Sequence, residues 1–295
     1  MLMHPPRPTP SAHQARQRGF TMVELVMVIT IMGVIGGVVA VFMKSPIEAY
    51  FYTARRAGLS DVADTVSRRM ARDIQQSLPN SLRTPTTSPA NQCVEFIPTT
   101  TGGRYRADLN TGTEDILDFT TADTSFDVLG NIGTTIAQGD VVVVYNLGIS
   151  GADAYDTSNS TSNKALVKST TSGASSSNIV ITGDLTNVSS TTGKLFPFSS
   201  PGKRFHIVSA SENVVSYVCN TTTGRLTRTA STFAQSAATS CPTTGSVLAT
   251  NVSYCNFDYS GSDLYRNGLI RLTIQFTDSG ETVSLTNEVH INNSP

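Results

Sequence analysis

The sequence predicts an α+β protein in which one long, kinked N-terminal helix packs on an antiparallel β-sheet domain. Three observations predict it. From Phe20 to Met43 there are 24 residues with one ionisable side chain, Glu24. From Tyr52 to Ile74 apolar residues recur at helical spacing. From Cys93 onward the period changes to two, in segments bounded by Gly, Asp, Asn and Ser.

The first run is long enough to cross a membrane. At ~1.5 Å per residue it measures ~36 Å, against ~30 Å for a hydrocarbon core. A carboxylate just inside such a segment costs roughly 2–3 kcal/mol even on mild insertion scales, so Glu24 marks a functional position. Before the run stand Arg7, Arg16 and Arg18 with no acid. That bias keeps residues 1–19 on the cytoplasmic side and sends the chain after Met43 across. An ordinary signal anchor would leave Glu24 unexplained. A cleaved secretory peptide has an apolar region of about 7–15 residues, shorter than this one.

Lys44-Ser45-Pro46 closes the apolar run, and Pro46 is expected to kink the helix without ending it. Beyond it Tyr52, Leu59, Val62, Ala63, Val66, Met70 and Ile74 form one stripe, with Asp61, Asp64, Arg68 and Arg72 opposite. Asp64 and Arg68 are a favourable i,i+4 pair. The Arg-rich face at 68–72 is either solvated or a subunit contact. Leu78-Pro79-Asn80 breaks the pattern, so the helix spans about Phe20 to Leu78.

The expected strands are Val94–Ile97, Asp115–Thr120, Phe126–Leu129, Asp140–Asn146, Asn178–Thr182, Arg204–Ser209, Val214–Cys219, Arg225–Thr229, Val252–Tyr259, Leu269–Thr277 and Thr282–Ile291. Asp278-Ser279-Gly280 is a hairpin signal between the last two. Alternation there puts Ile270, Leu272, Ile274 and Phe276 on one apolar face, a suitable partner for the amphipathic helix. Between Thr157 and Ser177, 12 of 21 residues are Ser or Thr, which reads as a long mobile polar loop.

The chain has 295 residues and formal charge −1. Without the three leader arginines the remainder is at −4, so nothing suggests nucleic-acid binding. The cysteines are Cys93, Cys219, Cys241 and Cys255, with no C-x-x-C pair and only four His, so tetrahedral zinc is not expected. Disulfides are the natural reading for a domain outside the cytoplasm. Of three possible pairings we favour Cys219–Cys241, a short loop, with Cys93–Cys255 tying the start of the domain to its end.

Basic residues, then Gly19, then Phe20-Thr21-Met22-Val23-Glu24 and an apolar run resemble the processing signal of type IV prepilins and pseudopilins. The resemblance implies cleavage between Gly19 and Phe20 by a prepilin peptidase, N-methylation of Phe20, and orientation by Arg16 and Arg18. Further stretches resemble the MSHA (mannose-sensitive haemagglutinin) pilus biogenesis protein MshO family. They include Pro46-Ile47-Glu48-Ala49-Tyr50, Arg68-Arg69-Met70-Ala71-Arg72-Asp73-Ile74, Gly103-Arg104-Tyr105-Arg106, Gly139-Asp140-Val141-Val142-Val143-Val144-Tyr145-Asn146 and the tail from Val289. The long Pro-rich leader is unusual, and Met3 is an alternative start to Met1.

The implied organisation is a leader at 1–19, a membrane and assembly helix at 20–43, its amphipathic half at 44–80 and a periplasmic β-rich domain at 81–295. The implied role is a minor pilin-like subunit in the inner membrane. Its partners are the peptidase, other major and minor pilins, the assembly platform and membrane lipid. Rival readings are a minor pseudopilin of type II secretion and a surface adhesin at a pilus tip.

Cleavage would free an α-amine at Phe20, with a pKa near 8. Glu24, four residues on, is the candidate assembly contact with the amine of a neighbouring subunit. Gly33, Gly36 and Gly37 permit helix contacts or local melting, or are ordinary small residues of a membrane helix. No residues form a catalytic constellation. His206 lacks a local Asp or Ser, there is no G-x-S-x-G, and no Gly-rich phosphate loop. Asp153/Asp156 and Asp123/Asp127 are weak calcium candidates without EF-hand grammar. No cofactor is expected.

Overall fold

The computed structural model describes residues 19–85, 88–110, 112–130, 132, 136–157, 162–172, 176–233, 240–259 and 267–295. Contacts divide the chain into two units, Met1–Ala54 and Arg55–Pro295. One helix, α1 (Met22–Gln75), contributes to both and is helical through Pro46. Thr21 caps it. The Glu24 amide donates to Thr21 Oγ1 at 3.3 Å, and the Leu25 amide donates to the Thr21 carbonyl at 3.1 Å.

In the first unit the described helix is exposed on every side. In the second, α1 buries Leu59, Ala63, Val66, Met70 and Ile74 of the expected stripe, with Ser67, whereas Tyr52, the first residue of that stripe, falls in the first unit and is exposed. Val62, at the edge of the stripe, stays 39% exposed. The strands follow in order: β1 (Asn91–Phe96), β2 (Thr101–Tyr105), β3 (Ser125–Leu129), β4 (Val141–Val144), β5 (Lys164–Ser172), β6 (Ser176–Thr182), β7 (Arg204–Val208), β8 (Val214–Asn220), β9 (Arg225–Ser231), β10 (Ser246–Thr250), β11 (Val252–Asp258), β12 (Asn267–Asp278) and β13 (Glu281–Asn292).

Two antiparallel sheets, β1-β8-β9-β10 and β11-β12-β13, share one core with the α1 stripe. Ile270, Leu272, Ile274 and Phe276 all point into it, as their alternation requires. β12 and β13 turn through Ser279 and Gly280, both at positive φ (50° and 89°), the geometry of a two-residue type I′ hairpin. Polar contacts also fasten the helix to its sheet. Tyr217 Oη donates to Asp73 Oδ2 at 2.6 Å, and Arg228 Nε donates to the same oxygen at 3.1 Å.

The remaining strands close a six-stranded barrel, β2-β3-β6-β5-β4-β7, so the domain is not one antiparallel sheet as expected. Its interior is filled by Phe126, Val128, Val142, Val144, Ala165, Val167, Ile179, Ile181, Phe205 and Ile207. The outward residues Val141, Val143 and Val208 are buried too, against Leu78, Ile97 and Val214. At the helix exit, Asn80 (φ 58°) donates from Nδ2 to the Asn146 carbonyl at 2.9 Å, and Asn146 Nδ2 donates to the Pro79 carbonyl at 2.7 Å.

Four expectations about the strands need correction. Asp115–Thr120 is not a strand, because Asp118 accepts the amide and hydroxyl of Thr120 and the hydroxyl of Thr121, and so folds a local turn. The expected mobile loop at 157–177 contains β5 and the start of β6, with Ala165 and Val167 facing the barrel core. β2 went unpredicted because of Gly102 and Gly103. A Cβ at Gly102 would lie 2.9 Å from the Phe205 carbonyl oxygen, so glycine is what lets β2 approach β7. β10 was also unpredicted; its register with β9 shifts at Val247/Ala249.

The disulfides join Cys93 to Cys241 and Cys219 to Cys255, not Cys219 to Cys241 and Cys93 to Cys255. Strand register is the reason. In the β1–β8 pairing Cys93 faces Val218 while Cys219 faces Gln92, so the two cysteines lie on opposite faces of the sheet. Cys219 points into the core and meets Cys255 on the facing sheet. Cys93 packs on the other face with Val218 and Cys241.

Candidate processing and assembly segment

Gly19 and Phe20 lie outside the helix and are exposed. Phe20 is 81% exposed, and a Cβ at Gly19 would meet no atom within 4 Å. The peptide bond between them is therefore accessible, directly ahead of the Thr21 cap. Arg16 and Arg18 fall outside the described residues. Glu24 sits in the first turn of α1, exposed, where a carboxylate complements the positive end of the helix dipole.

Past Glu24 the exposed surface is almost wholly apolar: Leu25, Val26, Ile29, Met32, Ile35, Val38 and Phe42 point in different directions and none is covered. Such a surface needs lipid or other helices around it. Gly33, Gly36 and Gly37 lie inside unbroken helix with open space about each. One helix is long and apolar enough to span a membrane.

Residues 14–40 match the family model of the prokaryotic N-terminal methylation motif. The match supports a type IV pilin-like or pseudopilin-type protein, anchored by a single span and processed by a prepilin peptidase. That motif implies assembly with other pilins. No curated protein and no solved structure matches the chain at a significant level.

The other sequence candidates are dispersed. Asp123 accepts the amides of Asp118 and Thr124, whereas Asp127 pairs with Arg106 at 3.7 Å and accepts from Asn178. Asp153 accepts the Tyr155 amide. Among the described residues no group of three or more His, Cys, Asp or Glu side chains could hold a metal ion. His206, on β7, pairs with Gly102 and Val143, and its Nε2 is buried without a hydrogen-bond partner. Burial, and secondarily Arg204, pull its pKa down to about 4.

Two buried ammonium groups, Lys164 and Lys194, were not visible in the sequence. Burial lowers both to about pKa 8, with Asp156 opposing the shift in each case. Lysines in or beside Ser/Thr-rich sequence read as surface groups, so nothing local marked them.

Proposed function

We propose that this chain is a non-enzymatic, minor pilin-like structural subunit for type IV pilus biogenesis of the MSHA type. The observation that carries it is the methylation motif at 14–40, placed so that an exposed Gly19-Phe20 bond immediately precedes a capped apolar helix. The MshO-like stretches support the finer assignment over a minor pseudopilin of type II secretion. In this reading the peptidase cuts after Gly19, which offers no side chain to obstruct approach, and Phe20 becomes the methylated terminus. Arg16 and Arg18 hold the leader in the cytoplasm. Glu24 pairs with the terminal amine of a neighbouring subunit and sets the stagger of assembly. The partners are the peptidase, other major and minor pilins, the inner-membrane assembly platform and lipid.

The two disulfides suit a β-rich domain on the oxidising, periplasmic side of the inner membrane. A tip adhesin is the second reading. It is favoured by the barrel, which has its own core and is inserted between two directly paired strands. Mass spectrometry of the mature N-terminus, in cells with and without the prepilin peptidase, tests the main reading. A chain beginning at methylated Phe20 is expected, and an uncut leader in the presence of the peptidase would overturn it. Co-purification of the processed chain with minor pilins supports biogenesis; glycan binding by the β-domain supports the adhesin.

A further inference from the structure

β13 is the last strand of its sheet, and Asp278 and Glu281 form the pair that closes its hairpin with β12. Thr277, opposite Thr282, donates its amide the other way, to the Asn251 carbonyl at 2.8 Å. By the alternation of an antiparallel ladder, Thr282, Ser284, Thr286, Glu288, His290 and Asn292 turn their amides and carbonyls away from β12. Among the described residues no other segment takes these groups up.

The other sheet edges are blunted. β10 has five residues and a register shift at Val247/Ala249. β11 shifts at Val252/Tyr254 and gives its Phe257 amide to Gln92 Oε1 at 3.1 Å. β1 is bridged by Arg83, which exchanges both main-chain bonds with Glu95. β13 instead pairs over 12 residues in unbroken register and holds no Pro, Lys or Arg. A long, regular edge of this kind is a template for another strand.

The core-facing residues of β13 identify that strand. In order they are Val283, Leu285, Asn287, Val289 and Ile291, a pattern symmetric in character about Asn287. Val289 and Ile291 are buried, whereas Val283 and Leu285 are only half-covered.

We propose that β13 pairs antiparallel with β13 of a second copy of this chain, about a two-fold axis through Asn287. Such an interface is isologous, so the strand must be its own complement, and this one is. Val283 of one copy stands opposite Ile291 of the other, Leu285 opposite Val289, and Asn287 opposite Asn287. On the outer face Thr282 meets Asn292, Ser284 meets His290 and Thr286 meets Glu288, so no like charges are opposed. A slip of two residues, the smallest that keeps the faces, would set Asn287 against Leu285 or Val289. The pairing needs nothing from the proposed role in pilus biogenesis.

The four natural cysteines are all in disulfides, so one added thiol reports on the seam. Asn287 and its copy form a pair without mutual main-chain bonds, with Cα atoms about 4.5 Å apart, within disulfide reach. Ser284 and its copy lie about 20 Å apart. The test oxidises the full chain with copper phenanthroline in detergent, with micelles in excess over chains, and follows the linked dimer by non-reducing electrophoresis. Asn287→Cys is expected to cross-link at least about tenfold faster than Ser284→Cys, whose thiol is out of reach. Ser284 is the more exposed of the two, so chance collision would reverse that order. Adding Thr286→Pro to Asn287→Cys removes an outward amide and leaves the bonds to β12 in place. It should slow cross-linking by about tenfold or more while the protein still melts cooperatively. No linked dimer from Asn287→Cys, equal or reversed rates at 287 and 284, or undiminished cross-linking in the folded Thr286→Pro variant would overturn the proposal. If that variant fails to fold, the order of Asn287→Cys and Ser284→Cys decides.

Discussion

Phe96 and Val215 are Cα partners on neighbouring antiparallel strands, although 118 residues lie between them in sequence. The chain leaves the four-stranded sheet at the end of β1, builds the closed barrel, and re-enters at the same place in β8. Two strand ends this close need only a tight turn. Replacing 97–214 by a two-residue turn is therefore expected to leave the helix-and-sandwich core folded with both disulfides formed. It should be less stable, because Leu78 loses Ile97, Val141 and Val214. Non-reducing peptide mapping checks the disulfides, and scrambled or free thiols would show that the barrel is required to fold the rest.

The amphipathic half of α1 gives a contrast between two neighbouring apolar side chains. Met70 is fully buried, whereas Val62 is 39% exposed. Met70→Ala should destabilise the domain by roughly 2–5 kcal/mol, and Val62→Ala by less than about 1 kcal/mol. Denaturant titration of both variants measures the difference.

The disulfides make a prediction that sequence proximity would get wrong. Peptide mapping of the oxidised protein should recover Cys93 linked to Cys241 and Cys219 linked to Cys255. Removing the bridge between the sheets by Cys219→Ser with Cys255→Ser should cost roughly 2–5 kcal/mol, read as a lower denaturation midpoint.

At the N-terminus, Glu24→Val should leave cleavage after Gly19 largely intact and lower incorporation into the pilus, because the carboxylate is exposed and forms no ion pair among the described residues. Immunoblotting of sheared pilus fractions against whole-cell levels provides the readout. Incorporation equal to the natural sequence would exclude an assembly role.

His206 predicts a pH dependence. Its folded pKa, near 4, is below the ordinary value of 6.5. Between those limits the unfolded chain binds a proton that the folded chain does not, so stability falls as pH drops from 6.5 towards 4. His206→Gln should flatten that part of the stability profile, measured by chemical denaturation across the window.

The sequence by itself determined the elements whose information is local. The apolar run and Glu24 are legible because membrane insertion depends on composition over one segment. The stripe from Leu59 to Ile74 and the alternation from Ile270 to Phe276 are legible because one face of each is buried and the period reports it. The Asp278–Glu281 hairpin is legible because only residues such as Gly accept its backbone readily. Tertiary structure alone decided the rest. The barrel closes by pairing strands distant in sequence, and β2 and β5 were hidden there by glycine and by Ser/Thr content. The disulfide partners were set by which face of β1 and β8 each cysteine occupies, a parity fixed by inter-strand register and not by spacing along the chain. Lys164 became a buried cation because Ala154, Asp156 and Phe233 converge on it from separate segments. Such convergence leaves no local pattern, since the energy of a buried charge depends on what surrounds it and not on its neighbours in sequence.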